Sequence, residues 1–461
     1  MKKFKPVNKP VIAGLIVLAA TSMLFFMPQN IPGPFTALVL VLTVIVLFAT
    51  ALIPAHLSVL VFFLLGMIFE IAPADIIFSG FRSTALWLVF GGLVIGAAIT
   101  VTGLGEKLVN SLSKALPGSY VWLVAGVAAA GLCVAFIMPS AMGRVLLLLP
   151  VTLALADHFG FVPGSNGRTA LVLAASLGTN VPAFTILPAN IPNVVMAGIA
   201  EQQLGIHLLF FEYLLSNFPI LGMVKAVLTV WVIVMFFPDQ PNPKAGLKTV
   251  SAPKLRDQWT VGVILACLIL LWMTDAIHHI SPAWVALGGA ILLMFPGIGP
   301  VNSQIFSTRI NFSSLFFVAG VLGIGNLIQY SGLSDLIGRH VIAWLPLNHG
   351  SPFLNYLMIC FTSALAGLFT TLPGIPAVMT PLAPEIVLST GLPVKAILMM
   401  QVVGFSTLIL PYQSPPLVVA MQISGESLGR VLKAVLAVLA LTLIVLIPVN
   451  YLWWQLIGSI I

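Results

Sequence analysis

The amino-acid sequence predicts an all-α polytopic membrane protein built as two inverted repeats, with about 11 transmembrane helices and two re-entrant hairpins. Three observations carry this. Of 461 residues, 60% are hydrophobic and only 7% charged, against about 25% charged in soluble domains. Such a chain cannot cover its surface with polar groups, so its solvent is lipid. The apolar runs are long and continuous, which excludes a β-barrel with its alternating apolar and polar positions. Finally, the two halves match each other across a basic central segment.

From the N-terminus, MKKFKPVNKPVIAGLIVLAATSMLFFMPQN has the basic start and apolar core of a signal peptide. The core is long and lacks a small-x-small cleavage site, so residues 1–30 are expected to keep a first transmembrane helix. A first repeat then covers 31–237, a basic linker 238–258 and a second repeat 259–461. Lys2, Lys3, Lys5 and Lys9 precede the first span, while Lys244, Lys248, Lys254 and Arg256 lie in the linker. The positive-inside rule puts both segments in the cytoplasm of a multi-pass cell-membrane protein. An even number of crossings must separate them, yet seven apolar runs do. One run must therefore enter and leave by the same side. The run 120–156, broken at Pro139-Ser140, is that hairpin, and 353–390 is its counterpart.

The repeat is legible in three stretches. ALWLVFGGLVIGAAITVTGLGEKL (85–108) lies over SLFFVAGVLGIGNLIQYSGLSDLI (314–337), so that Trp87 meets Phe316 and Gly96 meets Gly325. VLLLLPVTLA (145–154) corresponds to AVMTPLAPEI (377–386), interrupted by Pro150 and Pro381. FTILPANIPNVV (184–195) corresponds to TLILPYQSPPLVV (407–419). An odd number of crossings between equivalent elements inverts one half relative to the other. Inverted repeats with interrupted helices are typical of secondary transporters, whose substrate sits where the breaks meet.

Irregular backbone at membrane depth survives only inside protein or along an aqueous cavity. Four breaks are predicted: residues 139–143, 370–376, 188–193 and 411–416. A lone membrane proline is commonly a kink repaired by its neighbours, but four breaks paired across a repeat point to a binding site. Exposed amides and helix N-termini suit an anion. The candidate substrate-binding residues are Ser140, Ala141, Gly143, Arg144, Asn190, Asn193, Thr370, Thr371, Gly374, Gln413, Ser414 and Pro415. Thr179 and Asn180 either extend this polar track or make an interhelical hydrogen bond worth about 1 kcal/mol.

Arg144 is the sharpest candidate, because a charge near the bilayer centre costs at least about 3 kcal/mol. Either it faces the substrate, or it snorkels to the cytoplasmic surface or pairs with an acid such as Asp157. The other charges read as ordinary. Glu106, Lys107 and Lys114 belong at the interface, Arg430 and Lys433 at a helix end, and Glu70, Asp75, Arg82, Asp275 and Arg309 toward headgroups.

Cys133, Cys267 and Cys360 lie singly in apolar segments, giving neither a disulfide framework nor metal spacing. The seven histidines show no ligand spacing, and no nucleophile–base motif or phosphate loop is present. An enzyme, a resident metal and a nucleic-acid partner are therefore not expected; the net charge of +7 follows from topology. A cation/proton antiporter would want an acid at a break, and none of the twelve acids lies there. A passive scaffold would not need paired breaks. The sequence reads best as a cation-coupled secondary active transporter of a small anion (a dicarboxylate, another carboxylate, a sulfonate or an inorganic oxyanion). The alternatives are an anion exchanger in which Arg144 replaces a coupling cation, and a cation/proton antiporter.

The succession of a TGL-ended helix, a broken hairpin closing on LLLLP, a PANIPN stretch, a basic linker and the same again resembles the divalent-anion:sodium symporter family over nearly the whole chain. Family members carry Ser-Asn-Thr at both hairpin tips, where sodium and a substrate carboxylate bind. Here the tips read Ser140-Ala141-Met142 and Thr371-Leu372-Pro373, keeping only the leading hydroxyl. Ser414-Pro415-Pro416 matches the family's Thr-Pro-Pro-like stretch, and Asn193 its Pro-Asn ending. The resemblance implies a homodimer, a scaffold domain, and a transport domain that holds both hairpins and moves as an elevator. It also implies bound sodium, for which Ser140, Thr179, Asn180 and Thr371 are the candidate ligands.

Overall fold

A computed structural model describes residues 9–27, 33–50, 52–104, 119–138, 140–242, 255–334, 336, 345–368, 371–410, 413–426 and 428–458. Among these there is no strand. The first half contains α1 (Lys9–Phe25), α2 (Gly33–Thr50), α3 (Ala55–Ile68), α4 (Thr84–Thr102), α5 (Tyr120–Ile137), α6 (Ala141–His158), α7 (Asn166–Asn180), α8 (Ile191–Leu204), α9 (Phe210–Asn217) and α10 (Lys225–Phe236). The second half contains α11 (Leu255–Met273), α12 (Pro282–Met294), α13 (Phe312–Tyr330), α14 (Pro352–Ala366), α15 (Gly374–Met379) and α16 (Ala383–Thr390). It continues with α17 (Val394–Phe405), α18 (Pro415–Ser424), α19 (Leu428–Leu441) and α20 (Ile447–Ile457).

Six helical stretches among the described residues are long and apolar enough to cross a bilayer: Thr84–Thr102, Tyr120–Ile137, Ala141–His158, Phe210–Phe236, Phe312–Tyr330 and Gly429–Ile457. At 1.5 Å per residue, 18 residues rise about 27 Å, close to the hydrocarbon thickness. Two spans keep their length through a π-type stretch, Phe218–Val224 in one and Thr442–Leu446 in the other. Two of the expected breaks fall between helices: α5 ends at Ile137 and α6 begins at Ala141, and α14 ends at Ala366 and α15 begins at Gly374. The linker lysines and Glu106, Lys107 and Lys114 lie outside the described residues.

The chain forms two compact units, each drawing on both repeats. One comprises Met1–Leu86, Val195–His207 and Asn311–Phe405, including the second hairpin. Its helices approach closely at small residues. A Cβ added to Gly404 of α17 would lie 2.2 Å from the Cβ of Ser363 in α14, and one on Gly320 of α13 would lie 2.2 Å from Val59 of α3. Asn326 donates to Ser79 Oγ and Gln202 Oε1, both at 2.7 Å.

The other unit comprises Trp87–Val194, Leu208–Ile310 and Ser406–Ile461, including the first hairpin. Its centre is α7, whose described residues from Gly167 to Asn180 are all buried. A Cβ on Gly178 would sit 2.6 Å from Ala128 Cα, and one on Gly131 2.8 Å from the Gly178 carbonyl carbon. With no hydrophobic gain on leaving lipid, such backbone-to-backbone contact is what holds membrane helices together. Asp275 departs from its expected place among the headgroups. It is fully buried and accepts from the amides of Phe210 and Phe211, satisfying donors that begin α9.

Candidate functional site

The first tip is built by Ser140, itself in extended geometry, which caps α6 by accepting from the Gly143 amide at 3.1 Å. Serine here serves the four amides that every helix start leaves unpaired. Ala141 and Gly143 are half-buried beside it, and Pro139 lies outside the described residues.

Arg144 follows in the first turn of α6 and is fully buried. Its Nη1 donates to Met138 O at 2.6 Å and to Ala189 O at 2.9 Å. The guanidinium therefore ties the hairpin tip to the break between α7 and α8. Its Nε and Nη2 are buried with no hydrogen-bond partner. No carboxylate pairs with it among the described residues. Both alternatives to a substrate-facing arginine are thereby corrected: the side chain does not reach a surface, and Asp157 instead pairs with Arg168. The sequence could not show this, because Arg168 and Arg144 lie at comparable spacing from that acid.

The break between α7 and α8 is two tight 3-10 turns, Pro182–Thr185 and Leu187–Ala189, ending at Asn190 in extended geometry. Asn190 Oδ1 accepts from the Ile191 amide. Asn193 donates to Ala183 O and Ile186 O, both at 2.9 Å, and its Oδ1 is buried without a partner. Its amide thus satisfies carbonyls that the broken helix releases. Tyr213 OH donates to Phe184 O at 2.8 Å, pinning the same loop.

The break before α18 is stabilised in the same way. Gln413 Oε1 accepts from the amides of Ile409 and Leu410 at 2.8 and 2.9 Å. Asn180, at the end of α7, donates to Ser414 Oγ at 2.9 Å. The interhelical bond foreseen for Asn180 therefore exists, and it lies on the polar track. Thr179 Oγ1 donates back to Ser176 O within its own helix. Pro415 is exposed at the start of α18, and Pro411 and Tyr412 lie outside the described residues.

Ser140, Ala141, Gly143, Arg144, Thr179, Asn180, Asn190, Asn193, Gln413, Ser414 and Pro415 all belong to one unit. Thr371 and Gly374 belong to the other, and Thr370 lies outside the described residues. At that second tip Thr371 O accepts from the Gly374 amide at 2.8 Å, and Thr371 Oγ1 is buried and unpartnered. In the same unit Gln401 Oε1 accepts from Thr380 at 2.8 Å while its Nε2 is buried without a partner. Two residues escaped the sequence reading. Gln401 carried no signal. Lys225, buried in α10, did carry one, as the sole lysine or arginine in the apolar run 208–236.

Residues 9–460 match a family described as the sodium:sulfate symporter transmembrane region. The chain belongs to this family. It is the divalent-anion:sodium symporter family that the hairpins and breaks resemble, and the match covers both repeats. Among relatives, a "membrane protein" of Cupriavidus necator is 24% identical over 325 residues, 67% of this chain and 63% of the relative. "Dicarboxylate transporter 2, chloroplastic" of Spinacia oleracea is 21% identical over 342 residues, 68% and 60% respectively. An "L-tartrate/succinate antiporter" of Shigella sonnei is 20% identical over 356 residues, 73% and 72%. The chain thus spans less than two thirds of the length of the first two. The crystal structure of the Alcanivorax borkumensis YdaH transporter shares the fold at TM-score 0.55 and 17% identity, over 84% of this chain and 88% of that one. This sodium:sulfate symporter family member is accordingly a multi-pass membrane protein of a transporter family, all-helical among its described residues.

Proposed function

We propose that this chain is a secondary active transporter of a small dicarboxylate or related oxyanion, with Arg144 as the principal anchor for the anion. The carrying observation is the division of the guanidinium: Nη1 is held by two backbone carbonyls, while buried Nε and Nη2 have no partner. Nε–H and Nη2–H form the parallel pair of donors that grips a carboxylate or a tetrahedral oxyanion bidentately. A buried cation with no acid beside it gains most from an anion that arrives and leaves. The printed names of two relatives, a dicarboxylate transporter and a tartrate/succinate antiporter, support the substrate class. Ser140, Asn190, Gln413 and Ser414, in the same unit as Arg144, supply the polar wall. Alternating access by an elevator-type movement, a homodimer, and a cytoplasmic N-terminus and linker complete the reading.

Two couplings compete. Sodium symport would use Ser140, Thr179 and Asn180 as cation ligands in the unit that holds Arg144. Anion exchange is favoured by the two carbonyl oxygens around Arg144 Nη1, since a fixed positive charge already fills a position suited to a cation. The test is the thermal stability of detergent-purified protein against a panel of dicarboxylates, monocarboxylates, sulfonates and sulfate, each in sodium or choline. Stabilisation by a dicarboxylate in either salt, lost in Arg144→Ala, is the expected result. Stabilisation only in sodium would assign symport. An Arg144→Ala protein that responds to anions as the wild type does would overturn the role of Arg144.

A further inference from the structure

Lys225 opens α10 immediately after the π-type stretch Phe218–Val224, and only 3% of it is exposed. Its Nζ donates to Ser406 O at 2.8 Å. Ser406 is where the backbone leaves helical geometry after α17 ends at Phe405. A helix that stops inside a membrane leaves carbonyls unpaired and carries negative partial charge at that end, and a cation is the natural complement.

No carboxylate pairs with Lys225 among the described residues. An ammonium has three donors, and Ser406 accounts for one. Beside it lies a cavity of about 20 Å³ whose lining includes Lys225, Ser406, Leu177, Val181, Leu408 and Thr442. That volume takes about one water, and Thr442 directs its hydroxyl away, to Val438 O at 2.7 Å. The cavity is thus too small for a carboxylate substrate and otherwise mostly apolar. What the ammonium meets is a helix-end carbonyl and room for a single small molecule. Retaining an unpaired ammonium in such surroundings is unfavourable unless the charge has a task.

We propose that Lys225 is a built-in cation for the second broken helix, its ammonium neutralising the carbonyl end at Ser406 in the place of an alkali ion. This deepens the transport reading above, and rests on it for the consequence that one break needs no external coupling cation. The assignment itself is a matter of charge and stability.

The test is the melting temperature of the detergent-purified full chain, followed by tryptophan fluorescence, for wild type, Lys225→Ala, Lys225→Met and Lys225→Arg. Each is measured at fixed ionic strength in choline, sodium or propylammonium chloride. Lys225→Ala is expected to melt several degrees lower in choline. It should recover in propylammonium or sodium by more than any shift the wild type shows. Lys225→Met, which keeps the stem and loses the charge, should melt low in choline, and Lys225→Arg should melt above it. A Lys225→Met protein that melts with the wild type in choline would overturn the proposal, since packing would then suffice. So would a deficit in Lys225→Ala that no cation relieves. If the alanine and methionine variants yield no folded protein, a folded arginine variant supports the charge and an unfolded one overturns it. No uptake is read, so failure of the transport reading and failure of this assignment are separately visible.

Discussion

Arg144 and Glu426 lie in the same unit, both buried, and their charges are handled in opposite ways. Glu426 accepts from the Gly164 amide at 3.0 Å, from Thr169 Oγ1 at 2.7 Å and from Arg430 Nη1 at 3.5 Å. Arg430 in turn donates to Gly164 O and, at 2.9 Å, to Asn166 Oδ1, and neighbouring Arg168 pairs with Asp157. Every charge there has an opposite charge, and the network clamps the loop before α7 to the start of α19. Arg144 has carbonyls on one nitrogen and nothing on the other two. Glu426 and Arg430 are matched within the fold, whereas on the proposed reading the open edge of Arg144 is kept for a partner that comes and goes.

The largest effect that would sharpen this contrast is on transport. Arg144→Ala should lower dicarboxylate exchange in proteoliposomes by roughly a hundredfold or more, two charge-assisted hydrogen bonds being worth about 3 kcal/mol or more together. Arg144→Lys should recover little of it, because a point charge does not reproduce the paired donors. Loss of folding instead of transport would place Arg144 with the clamp and erase the difference.

Glu426→Ala reverses the pattern. Removing the buried carboxylate leaves the Gly164 amide and the Thr169 hydroxyl without their acceptor and Arg430 without its counter-charge, at a cost of about 3 kcal/mol. The expected outcome is a melting temperature several degrees lower with exchange per folded molecule retained. Asn193→Ala comes next. It strips the donors from the carbonyls of Ala183 and Ile186, destabilising by about 2 kcal/mol. Because those carbonyls belong to the loop that also holds Arg144, anion affinity should weaken together with stability, which calorimetric titration would read. Ser414→Ala removes the acceptor of Asn180 and should shift stability by about 1 kcal/mol. The smallest effect belongs to Arg82→Ala, which breaks a pair with Asp75 whose side chains are 64% and 85% exposed. Its stability should change by less than about 1 kcal/mol and its exchange rate not at all. A large effect there would show that exposed pairs in this protein do more than the comparison allows.

Much of the fold was legible because its signals are local. Continuous apolar runs specified membrane helices, prolines beside serine and glycine marked where those helices part, and the repeat paired the breaks. Helices α5 and α6 lie in the stretch read as the first hairpin, and α14, α15 and α16 in the stretch read as the second. The positions of the candidate site were equally legible, since breaks and a lone arginine can be read from a line of letters.

Which group meets which was not legible. Arg144 finds Ala189 from 45 residues away, Asn180 finds Ser414 across 234, and Lys225 finds Ser406 across 181. Asp157 was as plausible a partner for Arg144 as for Arg168 until packing chose. The sequence by itself determined that this chain lives in lipid, repeats itself in inverted form and interrupts its helices at paired places. Only the tertiary structure decided that one buried arginine keeps an open edge, while Glu426 closes on Arg430 and Asp157 on Arg168. Periodicity and composition act over a few residues, but a buried charge is satisfied or left waiting by whatever the folded chain brings within 3 Å of it.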